Sequence, residues 1–407
     1  MGKVQQKDGE KQGGSPQWLV WKRLLQNPLA VFGLLIITLA ILTAFCAYFL
    51  APDHSPNANR QLLEVALKPP AYSVKALKVR KNQLLEKSGF FHRLVYGEVD
   101  SDIYHPLDRY LIKGDSVEWV PAGSSSSTEE KKKLHLADIL FALGVKEALP
   151  ASKWKIKDLL ENESVYETQT LQQKVVDEHI VNLVFPLGTD RFGRCILSRL
   201  ILGVRISLLV GAIAVIISLT IGIVLGALGG YFGGKLDDLI VFFINTVWSI
   251  PTLLMVFAIV LALGRSAGNV YLAVGLTMWV DVARIVRGQV LEVKNNSFVE
   301  AAKSMGYSHL RIIRIHILPN ILGPVTVIAA ANFATAILIE AGLSYLGFGI
   351  QPPTPSWGNM LNENYGYAVS GKPFLAIIPA LAIMLLVLSF NLVGNALRDA
   401  FDVKKKK

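Results

Sequence analysis

The residue types that ordinarily do chemistry are thinly spread along these 407 residues. Two cysteines, Cys46 and Cys195, can build neither a disulfide framework nor a four-ligand metal site. His54, His92, His105, His135, His179 and His316 share no ligand spacing, so no metal centre is expected. Gly229, four further residues, Gly234 and Lys235 nearly spell a phosphate-cradling loop, but Leu236 stands where a hydroxyl would have to reach Mg²⁺. A turn after an apolar helix is the expected form there. The chain is not expected to be an enzyme, and no cofactor is assigned to it.

Polar groups inside apolar runs come next. An ionised carboxylate at bilayer centre costs about 2.5–3.5 kcal/mol on insertion scales, so Asp281 and Glu340 must face protein, water or the interface. Each is expected near a helix end, in a structural role, with substrate contact as the alternative. Asn245, Thr246 and Ser249 precede Pro251, whose missing N–H frees a carbonyl and kinks a helix, which makes these three candidates for lining a pathway. Gly222, Gly226 and Gly230 recur at every fourth position, a spacing that lets helices approach closely, and packing is expected of them.

These groups sit in a chain that is 52% hydrophobic and 18% charged, too apolar for an ordinary soluble protein. A spanning helix needs about 20 apolar residues. Six runs qualify, at roughly 29–51, 207–231, 239–263, 270–286, 321–343 and 374–392. They lack the alternation of barrel strands, so the predicted fold class is an all-α membrane protein with six transmembrane helices. The first run is too long for a signal peptide's apolar region and is expected to be retained.

Between the first two runs lies a polar block, 52–186, with 18 Lys and Arg against 19 Asp and Glu, a net of −1, which leaves +11 for the remainder. The predicted units are therefore 1–51 (tail and first helix), 52–186 (a small α+β insertion) and 187–407 (a five-helix core). Within the block, 123–133 reads as a surface loop, 110–120 has strand-like alternation in part, and 136–149 and 154–160 read as short amphipathic helices. The basic stretch 75–81 reads as a solvated face.

Positive charge near the runs sets the orientation. Lys22 and Arg23, then Arg284, Arg287, Lys294, Lys303, Arg311 and Arg314, and finally Lys404 to Lys407 all fall on one side, which should be the cytoplasm. Both termini are then cytoplasmic and the insertion is extracytoplasmic. Arg191, Arg194, Arg199 and Arg205 run against this rule, which long translocated loops tolerate.

The segment 297–320 reads as two short helices about a glycine. Ser297 and Glu300 have capping-box spacing, Gly306 can take the left-handed conformation that stops a helix, and Ser308 can cap the next, which Pro319 re-sets before the following run. Leu310, Ile313 and Ile317 are expected on one face, with Arg311 and Arg314 on another. Such an amphipathic segment suits a groove on a soluble partner, or the membrane surface.

This segment resembles the EAA signature of ABC-importer permeases through Glu300-Ala301-Ala302, Gly306 after three residues, and Leu318-Pro319, with His316 departing from the usual isoleucine. Other stretches are similar to the C-type membrane subunit of oligopeptide, dipeptide and nickel importers. They are Arg23-Leu-Leu-Gln-Asn-Pro-Leu-Ala30, Leu187-Gly-Thr-Asp-Arg-Phe-Gly-Arg194 with Ser198-Arg-Leu-Ile201 and Gly203-Val-Arg-Ile-Ser-Leu208, Leu346-Gly-Phe-Gly349, Pro352-Pro-Thr-Pro-Ser-Trp-Gly-Asn359 and Asn395-Ala-Leu-Arg-Asp-Ala-Phe-Asp402. The resemblance spans roughly 20–50 and 187–403 and leaves the insertion outside it.

The resemblance implies a permease subunit in a bacterial inner membrane, paired with a homologous permease, two ATP-binding subunits and an extracytoplasmic substrate-binding protein. ATP and Mg²⁺ would be held by the partners, Glu300 to Pro319 would be the ATPase-coupling loop, and no nucleic acid is implied. Peptide is the expected cargo, with nickel or another small solute as the alternative. A membrane anchor displaying the insertion would explain 52–186 but not the coupling signature. Ion-coupled transport would call for mid-membrane charge pairs and an inverted repeat, and neither is evident.

Overall fold

The computed structural model describes residues 16–83, 89–124, 131–150, 152–159 and 161–401. Helices α1 (Pro16–Gln26) and α2 (Pro28–Phe45) meet at Asn27. Its side-chain oxygen accepts from the N–H groups of Leu29 (3.0 Å) and Ala30 (3.3 Å), and Pro28 fills the first helical position. One further turn, α3 (Ala47–Leu50), carries the chain into the insertion.

The insertion contains β1 (Tyr72–Arg80), α4 (Phe90–Tyr96), β2 (Asp102–Lys113), β3 (Ser116–Pro121) and β4 (Lys132–His135). These are followed by α5 (Leu136–Leu140), β5 (Leu143–Leu149), β6 (Lys153–Asp158), β7 (Glu163–Glu167), α6 (Thr168–Lys174) and β8 (Ile180–Phe185). They form an antiparallel sheet in the order β4-β3-β2-β1-β8 and a smaller antiparallel sheet β5-β6-β7. Leu77, Val79, Leu107, Val117 and Trp119 face Leu136, Ile139, Leu171 and Val175 across the core.

Two expectations fail here. The stretch 136–149 is helical only to Leu140, because pairing of Leu143–Leu149 with β6 supersedes a second turn. The stretch 154–160, also expected as a helix, falls largely in β6, where Trp154 and Ile156 alternate with Lys155 and Lys157. The basic stretch 75–81 belongs to β1 and its end. Lys78 and Arg80 pair with Asp102 (3.5 and 3.4 Å), and Lys81 donates to the Asp100 carbonyl (2.7 Å). Of the expected surface loop, residues 125–130 lie outside the described residues, as do Lys404 to Lys407.

The remainder is helical: α7 (Ile196–Phe232), α8 (Gly234–Trp248), α9 (Thr252–Leu263), α10 (Ala267–Val293), α11 (Ser297–Ser304), α12 (His309–Arg311), α13 (Leu322–Tyr345), α14 (Trp357–Val369) and α15 (Phe374–Phe401). Among the described residues, five runs are long and apolar enough to cross a membrane: Pro28–Phe45, Ile196–Phe232, Ala267–Val293, His309–Tyr345 and Phe374–Phe401. A sixth arises if α8 and α9, which meet at 89° beside Pro251, form one broken span.

Helix α7 lies along α10 because glycine removes the obstacle. A Cβ on Gly222 would stand 2.5 Å from Val282 Cβ, and one on Gly226 would stand 2.6 Å from the Ala283 carbonyl. One on Gly230 would meet the Arg287 carbonyl at 2.9 Å. None of these distances leaves room for a methyl group. Helix α15 packs on α13 and α2. The bundle thus has two ends. At one, Leu67 and Leu187 join Ala341, Met360 and Leu375 beside the insertion. At the other, Tyr231 and Val290 meet Val299 and Ile312, far along α7 from the insertion.

Candidate functional site

The segment after α10 is built around Gly306. Asn296 occupies the N-cap of α11, with Ser297 already inside the helix and no side-chain cap bond, so the expected Ser297–Glu300 capping box does not form. The other end follows the sequence. Gly306 has φ +76°, its N–H reaches the Lys303 carbonyl (2.9 Å), and the Tyr307 N–H reaches the Ala302 carbonyl (3.2 Å). This pair of bonds satisfies the last carbonyls of α11 and turns the chain.

Ser308 stands at the N-cap of α12, again without a side-chain bond. The second short helix is present but ends at Arg311, short of Pro319. A wide π-type stretch Ile312–Ile317 and a 3₁₀ turn Leu318–Ile321 lead directly into α13. Proline lacks an N–H, and at the start of that turn none is needed.

Val299, Ala302, Ile312, Ile313, Ile317 and Ile321 are buried against α7, α10 and α13. Leu310, expected on the face of Ile313 and Ile317, is instead 74% exposed, because the π-type widening shifts the register after Arg311. Ile312 takes the inward place that the helical period assigned to Leu310. The signature therefore divides: Ala302 and Ile313 are buried and Leu318 is half-buried, whereas Glu300, Ala301, Gly306, Leu310 and Pro319 are exposed. Met305, 70% exposed, adds a second exposed apolar side chain to the segment.

Aromatic and basic groups fix this mount. Tyr231 Oη lies 2.9 Å from His309 Nδ1, Lys303 sits over the Tyr231 ring, and Arg311 sits over Tyr307. The departing His316 stacks on Tyr307 at 5.7 Å. Below it, Lys294 donates to the Gly230 carbonyl (2.8 Å) at the end of α7, and Arg287 grips Asp237 with two bonds of 2.5 and 2.6 Å. Gly234 opens α8 and Lys235 is exposed, so the near-phosphate loop is a turn held by Asp237.

Asn245, Thr246 and Ser249 are exposed at the break before Pro251, on a surface shared with Phe242, Phe243 and Trp248. The hydroxyls of Thr246 and Ser249 return to the carbonyls of Phe242 (2.8 Å) and Thr246 (2.7 Å). Asp281 does not lie near a helix end: α10 continues to Val293, and the carboxylate accepts from Trp248 Nε1 (3.2 Å). Glu340 is fully buried near the end of α13, and its Oε1 accepts from Ser344 and Ser356, each at 2.7 Å. It thereby closes the turn into α14.

The opposite end holds a cluster that sequence reasoning missed. Arg194 donates to Asp190 Oδ2 (2.6 Å) and also pairs with Glu363 of α14, while Arg199 lies 3.5 Å from Glu363. Arg205 donates to four carbonyls, those of Ala44 (2.6 Å), Phe45 (3.3 Å), Leu94 (2.5 Å) and Val95 (3.0 Å). The recoverable signal was the aspartate four residues before Arg194.

Among the described residues no cluster of His, Cys, Asp and Glu could hold a metal ion. The architecture defines a class: a multi-span membrane protein with a surface-exposed segment seated on the helix core at one end. Residues 218–407 match the model of the binding-protein-dependent transport system inner membrane component, and residues 15–70 match the N-terminal TM domain of oligopeptide transport permease C.

The dipeptide transport system permease protein DppC of Bacillus subtilis is 40% identical over 54% of this chain and 69% of its own length. The oligopeptide permease protein OppC of Haemophilus influenzae is 43% identical over 54% and 70%, and the glutathione permease protein GsiD of Escherichia coli is 44% identical over 54% and 72%. Among solved structures, an inward-facing MetNI methionine ABC transporter aligns with 50% of this chain and 97% of that one, at 20% identity and a TM-score of 0.42.

The chain belongs to the OppC-type permeases of binding-protein-dependent ABC transporters. It is a permease subunit, a multi-pass inner-membrane protein and not itself a catalyst, and its family implies ATPase and binding-protein partners. Residues 71–217 fall between the two matched stretches.

Proposed function

We propose that this subunit forms half of a peptide-conducting pathway with a homologous permease. In this reading two separate subunits bind ATP and Mg²⁺, and an extracytoplasmic protein delivers the cargo. The names of the dipeptide, oligopeptide and glutathione relatives support a peptide cargo. The chain crosses six times, α8 and α9 counting as one span, with both termini cytoplasmic and the units divided at 51/52 and 186/187. Asn245, Thr246 and Ser249 face the pathway at the break in that span.

One observation carries the reading. The exposed residues Glu300, Ala301, Met305, Gly306 and Leu310 sit on a base of buried isoleucines contributed to the same core as α7, α10 and α13. A push on such a segment is transmitted to three spans rather than absorbed by a loop. The insertion lies at the other end, which fits delivery on one side and coupling on the other.

Leu310→Asp and Gly306→Val test this in the assembled complex in membranes. Leu310 is exposed, so the first variant should leave the fold intact yet reduce cargo-stimulated ATP hydrolysis and uptake together. A β-branched residue at φ +76° should re-aim α12 and uncouple the two activities. If both variants keep wild-type coupling with the ATPases still bound, the segment is not the docking element.

A further inference from the structure

We propose that the insertion is anchored laterally in the outer-leaflet interface of the bilayer by α4 and the end of α2, rather than standing clear of the membrane. Helix α4 carries its aromatic residues outward: Phe90 is 65% exposed and Phe91 is 79% exposed, with Tyr96 and Val95 also open. These residues continue the exposed apolar face of a candidate span. Leu35, Leu39, Leu42 and Phe45 of α2 lead to Phe49, whose ring stacks on Phe90 at 5.7 Å.

The juxtaposition is built, not incidental. Arg205 of α7 forks between the last carbonyls of α2 and those of α4, so one guanidinium satisfies the C-terminal ends of two helices. Gly97 then turns the chain at φ +80°, where a Cβ would lie 2.6 Å from the Tyr48 ring. Glu98 N–H reaches the His54 carbonyl at 2.9 Å, and Arg93 pairs with Glu98 at 2.9 Å.

The occupant follows from continuity. Helix α2 has few buried residues and presents large apolar side chains, as a lipid-facing span must, and α4 begins where that face ends. Aromatic rings collect at this depth of a membrane, and a short helix with an apolar face lies in its plane. A soluble partner would have to cover α4 while lipid covered α2 immediately beside it.

The inference rests on the proposed topology for the choice of leaflet, whereas its test of membrane contact does not depend on which end faces outward. The probe is a nitroxide on Phe91→Cys, and separately on Tyr96→Cys, in a chain with Cys46→Ser and Cys195→Ser. The intact complex is reconstituted in vesicles of phosphatidylethanolamine and phosphatidylglycerol. Val165→Cys, exposed on β7, is the control.

Collision with oxygen relative to a water-soluble nickel chelate should be several-fold higher at 91 than at 165. Equal ratios would overturn the proposal in favour of a solvent-facing helix. An immobilised spectrum protected from both reagents would overturn it in favour of a protein partner. Adding the chelate to one side only reports orientation separately, so an inverted topology and a missing anchor give different results.

Discussion

The two ends of the bundle hold their arginines in opposite ways. Beside the insertion, Arg194 and Arg199 are buried with Asp190 and Glu363, and Arg205 is spent on helix carbonyls. At the other end Arg311 and Arg314 are exposed, and Lys303 and Arg311 rest on tyrosine rings. The difference bears on the discord in the charge pattern. A sequence count treats every arginine as a topological signal, but Arg194, Arg199 and Arg205 are engaged by carboxylates or helix carbonyls, whereas Arg191 of the same group is exposed over the Phe192 ring. At the end that carries α11 and α12, Arg287 is paired with Asp237, while Arg311 and Arg314 remain on the surface, where they can meet a partner or lipid headgroups.

The largest expected effect comes from breaking the buried side of this comparison. Arg194→Ala leaves Asp190 without its side-chain cation and Glu363 with Arg199 alone. Removing one partner of a buried pair costs roughly 3–5 kcal/mol, because a charge stays behind uncompensated. Arg314→Ala at the exposed end should lie within about 0.5 kcal/mol of wild type. Thermal unfolding of the purified complex in detergent compares the two. Equal and small shifts would mean that the buried network contributes no more than a surface charge.

A smaller loss is expected from Arg205→Lys. An ammonium keeps the charge but cannot reach two helix ends in the plane of one fork. Hydrogen bonds from charged groups contribute about 1.5–3 kcal/mol, and the loss should be local. Hydrogen exchange should rise in α4 and at the end of α2 while α11 keeps its protection. A rise at both ends of the bundle would show that the two regions are not separable in this way.

The spans were legible because twenty apolar residues are a strong signal that tertiary context cannot reverse, and Pro251 marked the break between α8 and α9. Gly306 was legible for a similar reason: few residues accept its backbone conformation. Elsewhere, long-range pairing decided the outcome. Residues 136–149 satisfy a helical period locally, yet their second half is claimed by β6, a partner that no window around them contains. At 154–158 the alternation of Lys with Trp154 and Ile156 was a strand signal and was available. Leu310 was misplaced because an ideal period was carried through a π-type stretch, and Asp281 because apolar content ends before α10 does.

The smallest expected effect concerns acid. His135 caps α5 by accepting the Ala137 N–H at Nδ1 (3.1 Å), packs edge-on against Trp154, and is surrounded by Lys146, Asp115 and Asp138. Burial first, and then Lys146, push its pKa below the usual histidine value, with Asp115 and Asp138 opposing; burial does the same to His105.

The sign follows from proton binding. The folded insertion takes up these protons less readily than the unfolded chain, so their contribution is full above the unfolded value near 6.5 and is lost as the pH falls from there through the depressed folded values. Protonation at Nδ1 removes the acceptor that caps α5. Proteolysis of the insertion in the intact complex should therefore accelerate below about pH 6.5, where unperturbed histidines charge. In His135→Asn, which keeps a capping acceptor without a titrating ring, that acceleration should shrink. The opposite end of the bundle, followed by protection of α11, should not share the response. If acid opens α11 to the same degree, the insertion is not an independently titrating region, and the separation of the two ends argued from their arginines fails with it.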